Sequence, residues 1–314
     1  MTYEEGIIAL PKQFTYRPAI LNKDKIKPFK ELIILGMGGS RLAADILNII
    51  RPDLEIHIHS DFDLPKLDSQ SLYESLIIAN SFSGDTAEII SGAKEALKHN
   101  YNLAVICSGG ELKEISEQNE LPHILNPNGD GLPARMMIGH DLLAIAAMIG
   151  LSSGLFKACA DLAPEGLKAQ GSGIAQSIGS KIPLIYTSQR LNELGYIWKV
   201  IFNETAKIPA FHNRFPEADH NEVSGFHFNH DEFAAIFIRD DLDDRISQRM
   251  DAMAKILESK NISAHHVQMS GQSLLDQVMS SIITAHWAAF EIAGKAGIDP
   301  ISAPEIKDLK DQLS

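Results

Sequence analysis

Apolar residues in this chain fall into short solid runs separated by longer stretches of helical period. The segments at 31–35 (Glu-Leu-Ile-Ile-Leu), 55–59, 75–79, 102–107 and 122–126 read as strands, several of them apolar on both faces as in a parallel sheet. Between them, 40–50, 86–98, 111–118 and 139–151 return apolar residues every three or four positions, which predicts helices packed on one face. The stretch 151–180 breaks this rhythm with Leu151-Ser-Ser-Gly154, Ala163-Pro-Glu-Gly166 and Gly171-Ser-Gly173. It reads as a linker with some helix in it. The alternation then restarts, with strands at 182–188, 233–238 and 263–269 and helices at 189–200, 242–259 and 273–296. The last helix is stopped by Gly294, Gly297 and Pro300, residues that close helices. The expected fold is α/β, two halves each built on a mainly parallel sheet flanked by helices, divided as 1–152 and 153–314.

Composition narrows the partners. A chain of 314 residues accommodates two cores, and 45% hydrophobic with 22% charged residues is ordinary for a globular protein. The net charge of −13 argues against nucleic acid or an anionic membrane as partner. No apolar run reaches membrane-span length, and Met-Thr-Tyr-Glu-Glu at the start lacks a leader's basic and apolar regions. Cys107 and Cys159 are far apart and form no CxxC pair, which suits a reducing cytoplasm. Cys107, at the end of an apolar run, reads as a buried, inert thiol.

An acidic protein that holds an anion must do so with local dipoles and a few placed donors. Two turns fit that description. Ser81-Phe-Ser-Gly-Asp-Thr86 joins a strand to a helix, and Gly36-Met-Gly38-Gly39-Ser40 follows an earlier strand in the same way. Helix N-termini attract anions through unpaired N–H groups and the macrodipole. Hydroxyls at 81, 83 and 86 add neutral donors, so the pair points to a phosphorylated small molecule. Helix capping is the plainer use for these hydroxyls, although one serine would suffice for it. The first turn also invites a dinucleotide reading, with Asp61 as the ribose acid, but Arg41 stands where the third glycine of G-x-G-x-x-G belongs.

The segment 202–222 is the second dense region. It is polar and carries two prolines, yet Phe202, Ile208, Phe211 and Phe215 argue for order in what reads as a long functional loop. Glu204 and His220 are its natural acid–base pair. His57 and His59 share one strand face at a spacing a metal could use, without accompanying carboxylates or cysteines in sequence. Arg135 precedes a helix and reads equally as a substrate clamp and as a surface arginine.

Taken together, Gly36–Ser40, Ser81–Thr86, Phe202-Asn-Glu-Thr-Ala-Lys207 and Pro216-Glu-Ala-Asp-His-Asn-Glu222 resemble the bifunctional phosphoglucose/phosphomannose isomerases, a family of the sugar isomerase (SIS) fold. The Ser-x-Ser-Gly-x-Thr turn alone marks only an SIS domain; the two later segments make the match specific. The resemblance implies two SIS subdomains, a cytoplasmic homodimer, a sugar-phosphate substrate, and neither metal nor cofactor. Ser40, Ser81, Ser83 and Thr86 would hold the phosphate, with Gly38 and Gly39 beside the substrate. Glu204 would carry a proton between C1 and C2 through a cis-enediolate, with Arg135 stabilising the enediolate oxygens. His220, given by the partner subunit, would help open the sugar ring. The family's C-terminal lysine falls on Lys310, or one turn earlier on Lys307. Two departures stand out. Thr205 occupies a position where the family commonly has asparagine. Ile301-Ser-Ala-Pro304 replaces a Thr-Pro step linked to mannose activity, leaving Ser302 as the hydroxyl one residue along.

Overall fold

The computed structural model describes every residue except Asn229, Asp241 and Ser314; of Lys307, Lys310, Asp311 and Leu313 it describes only the backbone. The chain forms two compact units. One holds Met1 and Ala9–Leu162, the other Thr2–Ile8 and Ala163–Ser314.

The first unit contains β1 (Glu31–Leu35), α2 (Leu42–Ile50), β2 (Ile56–His59), α3 (Ser69–Glu74), β3 (Ser75–Ser81), α4 (Ala87–Lys98), β4 (Asn102–Cys107), α5 (Gly110–Gln118), β5 (His123–Leu125) and α6 (Ile138–Met148); α1 is the N-terminal helix Tyr3–Ala9. Its five strands are all parallel in the order β2-β1-β3-β4-β5. β3 and β4 are buried along their whole length, which is why their sequences are almost unbroken apolar runs. One face packs Ile33, Ile77, Leu103 and Val105 against Ile89, Ala93 and Leu112. The chain leaves β1 outward to β2 and returns across it to β3. The C-terminal ends of β1 and β3 therefore flank the point where strand order reverses, the place where open α/β sheets bind ligands. Cys107 is buried in this core, and burial pushes its thiol up to about 11.

The second unit holds α1, α7 (Lys168–Ile178), β6 (Ile182–Ser188), α8 (Asn192–Ile201), β7 (Phe211–Phe215), β8 (Phe233–Arg239), α9 (Asp244–Glu258), β9 (Ser263–Gln268), α10 (Leu274–Ala296) and α11 (Pro304–Leu313). Its four strands are parallel in the order β7-β6-β8-β9. Tyr186, Phe215 and Phe237 pack on one face against Met250, Met253 and Leu257 of α9. The 23-residue α10 is buried around most of its circumference, so it reads as apolar rather than amphipathic. A Ser273–Asp276 capping box starts it, and Gly297, at φ 67°, closes it.

Predicted strands and long helices stand within a turn of where the apolar pattern put them. Two segments differ. Residues 151–180 contain two short 3₁₀ segments, Ser153–Asp161 and Pro164–Leu167, and then all of α7, so much of the expected linker is ordered helix. The expected loop at 202–222 contains a π turn, Phe202–Ala206, and the edge strand β7. β7 escaped the pattern because it pairs on one side only and keeps His212, Asn213 and Arg214 half-buried. Among the described residues, no helix is long and apolar enough to cross a membrane.

Candidate active site

In the first unit, both glycine- and hydroxyl-rich turns sit at the reversal point of the sheet. Gly38–Arg41 forms a single 3₁₀ turn directly after β1, with Gly38 at φ 49°. Ser40 is buried, its carbonyl accepts from Asn80 Nδ2 at 2.6 Å, and its hydroxyl accepts from the Phe82 N–H at 2.9 Å. These two bonds tie the first turn to the second. Within the second, Ser81 and Thr86 share a hydroxyl–hydroxyl bond of 2.8 Å, and the Gly84 N–H donates to Ser81 Oγ at 3.2 Å. Ser83 is exposed and accepts from the Asp85 N–H at 3.2 Å. Thr86 is the N-cap of α4 but makes no side-chain capping bond. Its hydroxyl is turned to Ser81 instead, so capping does not explain the three hydroxyls.

Arg135 belongs to the same cluster. A side chain at Gly39 would place its Cβ 2.5 Å from the Arg135 backbone nitrogen, so the Arg135 segment lies directly on the Gly39 turn. The close approach requires glycine there. Arg135 itself is 1% exposed, which excludes the surface-arginine reading.

In the second unit, Glu204 lies in the π turn that ends α8, a local widening that often accompanies function. Lys207 follows at φ 56° and donates its ammonium to the Glu204 carbonyl, while Asn203 Nδ2 donates to the Ile208 carbonyl at 2.9 Å. Glu204, Asn203, Lys207, Ala303 and Glu305 line a cleft of about 430 Å³. Ser302 precedes α11, next to Ala303 of the cleft lining. The carboxylate of Asp299 accepts from the backbone N–H groups of Ile301 and Ser302 at 3.0 and 3.2 Å. Those bonds, that of Ile301 foremost, and the nearby Lys207 ammonium hold the Asp299 carboxyl below its ordinary range. The side chains of Lys307 and Lys310 lie outside the described residues.

The turn carrying Glu204 is fixed from behind by the N-terminal helix. Tyr3 Oη lies 2.7 Å from Thr205 Oγ1 and 2.7 Å from His286 Nδ1, and its ring stacks on Phe290. All three polar groups are buried. Thr205 therefore has a definite partner here. Removing the Tyr3 hydroxyl leaves buried polar atoms without it, and such losses cost about 1–3 kcal/mol. Tyr3→Phe is expected to lower unfolding stability by that amount in a urea titration; an unchanged midpoint would refute the clamp.

His220 sits beyond the far end of β7, in the turn after Phe215. Glu222, two residues on, accepts from Tyr186 Oη at 2.7 Å and from Asn213 Nδ2, which binds this turn to β6 and β7. Glu204 precedes β7 and His220 follows it. The edge strand β7 thus lies between them along the chain. Sequence reasoning missed Asn80, Tyr3, Lys207 and Glu222. Asn80 alone gave a signal, as the polar residue ending an apolar run.

His57 and His59 share strand β2, but their ring contacts differ: His57 lies 3.6 Å from Glu31 and 3.9 Å from Glu55, whereas His59 meets the Phe62 carbonyl. Glu31, Glu55 and His57 form a loose surface group, without a buried donor set of the kind that marks a structural metal site.

Residues 167–313 match the model of the bacterial phospho-glucose isomerase C-terminal SIS domain. Over 324 aligned positions, covering all of both chains, the sequence is 29% identical to a bifunctional phosphoglucose/phosphomannose isomerase of Thermoplasma volcanium. It is 26% identical to a D-glucosamine-6-phosphate 4-epimerase of Sulfolobus acidocaldarius, covering 87% of this chain and 86% of the other. In structure it resembles tagatose-6-phosphate ketose/aldose isomerase from Escherichia coli, with a TM-score of 0.71 over 95% of this chain and 94% of that one, at 15% identity.

Proposed function

We propose, from the premise that this chain is a relative, at 26–29% identity, of the bifunctional phosphoglucose/phosphomannose isomerases, that it is an aldose–ketose isomerase. It interconverts glucose 6-phosphate and fructose 6-phosphate and also accepts mannose 6-phosphate. The observation that carries the reading is Glu204, held on a fixed turn and lining an open cleft.

The chemistry follows from the groups present. Ser40, Ser81, Ser83 and Thr86, together with the N–H groups at the start of α4, bind the phosphate without a lysine. Glu204 takes the proton from C2 of the aldose and returns it to C1, forming and then consuming a cis-enediolate. A single carboxylate serves both steps because the two carbons are adjacent. Arg135, buried and cationic, stabilises the oxygen charge that develops, and burial strengthens that interaction. His220 assists opening of the sugar ring. In this reading the enzyme is a homodimer in which a second copy of the chain supplies His220. Ser302 is the hydroxyl assigned to mannose discrimination, and Lys310, or Lys307, is assigned to the substrate ring oxygen.

A coupled assay supplying each hexose 6-phosphate separately tests this. Turnover of glucose 6-phosphate is expected, with slower turnover of mannose 6-phosphate; failure with both would overturn the assignment. A second reading, an aminosugar phosphate substrate, is favoured by the epimerase relative. Turnover of glucosamine 6-phosphate in preference to the neutral sugars would select it.

A further inference from the structure

Beneath the two phosphate turns lies an ionisable group that the mechanism above does not use. Asp141, in the first turn of α6, is 2% exposed. Its Oδ1 accepts from Asn126 Nδ2 at 2.7 Å, and the side chain of Asn80 lies close enough to act on its carboxyl. Asn80 is the residue whose amide holds the Ser40 carbonyl. Three buried acceptors on these residues lack a donor: Asp141 Oδ2, Asn80 Oδ1 and Asn126 Oδ1. A proton on the carboxyl supplies a donor to this group and removes a buried charge, both of which favour the neutral acid.

We propose that Asp141 is a positioning residue of the phosphate grip: as a neutral acid it steadies Asn80 and through it the Ser40 turn, and its ionisation weakens the hold on a phosphorylated ligand. The inference rests on the phosphate role given above to the turns at 36–40 and 81–86. Burial pushes the carboxyl up to about 7 against the lowering effect of the Asn80 and Asn126 side chains, so the change falls near neutral pH. A ligand dianion bound at the turns opposes a second negative charge behind them, which couples binding to protonation.

The elements packed against α6 are the 10–15 turn, α2, β4 and the turns 38–41 and 153–161. Their ionisable residues are Lys12, Arg41, Asp45, Cys107, Lys157, Cys159 and Asp161. Arg41 and Asp45 form their own ion pair at 3.0 Å. Tyr16, just past the first turn, has its phenol raised by burial and then by the Asp141 charge. His140, the neighbour on α6, is held below its ordinary value by burial. Titration near pH 7 is therefore assigned to Asp141 itself.

The wild-type KM for glucose 6-phosphate is expected to rise about five-fold or more between pH 7 and pH 9, a typical size for coupled sites. Asp141→Asn, neutral at every pH, should show no such rise; parallel pH courses in the two proteins would overturn the proposal. Calorimetry of fructose 6-phosphate binding to the wild type at pH 8, in buffers of different ionisation enthalpy, needs no variant. The phosphomonoester, with a second pKa of about 6, is already dianionic there, so uptake of a fraction of a proton is expected and zero uptake refutes the coupling. Binding with proton uptake but without turnover keeps this proposal and overturns the isomerase reading. Turnover without uptake, and with parallel KM courses, does the reverse.

Discussion

Glu204→Gln is expected to lower kcat on glucose 6-phosphate by about 10²–10⁴-fold, the usual contribution of a positioned general base. The substitution keeps the size of the side chain but replaces the charged, basic carboxylate with a neutral amide that cannot take up the proton. Glu204 meets Lys207 through its main-chain carbonyl, and the turn is clamped through the neighbouring Thr205, so neither support depends on the carboxylate. Binding of fructose 6-phosphate, measured by calorimetry, should stay within about two-fold of wild type, because the proposed phosphate contacts lie elsewhere in the chain. Glu204→Asp, one methylene short, should fall between the two, since proton transfer requires the base within hydrogen-bond reach. Turnover of the glutamine variant near the wild-type level would remove Glu204 from the reaction.

Gly84→Ala is expected to destabilise the first unit by more than about 3 kcal/mol, the range reserved for steric conflict at special backbone positions. Gly84 has φ 79°, and a Cβ there would lie 1.8 Å from the Gly109 carbonyl oxygen. That oxygen is backbone and has no rotamer to yield. The turn it would disrupt contains the Gly84 N–H bond to Ser81 and the Leu112 N–H bond to the Gly84 carbonyl. Gly109→Ala is the control. Its φ of 164° is extended backbone, and no atom lies within 4 Å of the Cβ position, so a change within about 0.5 kcal/mol is expected. Chemical denaturation of both variants checks the contrast; equal effects would show that the tight approach at Gly84 is not what holds the turn.

The two glycines differ in backbone φ and in what the fold sets opposite them. In sequence both stand in short glycine-containing turns after a strand, Ser83-Gly84-Asp85 and Ser108-Gly109-Gly110. The same limit explains Asp141. Within Gly139-His-Asp-Leu142 it reads as an acid in a first helical turn, a common and solvated arrangement. Its burial beneath Asn80 depends on a helix and a strand 60 residues apart in sequence, roughly, being packed together, which no local pattern encodes. The Tyr3 hydroxyl is a stronger case, since its partners are Thr205 and His286.

The alternation of apolar runs and helical periods determined the α/β class, and the strongest strands were legible because burial on both faces demands continuous apolar sequence. The hydroxyl-rich turn at 81–86 and the Asn-Glu and His-Asn-Glu segments were visible because their chemistry is local to a few residues. Tertiary structure alone decided strand order, and with it the placing of both glycine- and hydroxyl-rich turns at the sheet's reversal point. It also decided that Thr86 bonds Ser81 rather than capping α4, that Arg135 is buried on the Gly39 turn, and that β7 stands between Glu204 and His220. Each of these depends on which segments pack together, and packing is set by the whole buried surface rather than by any window of the chain.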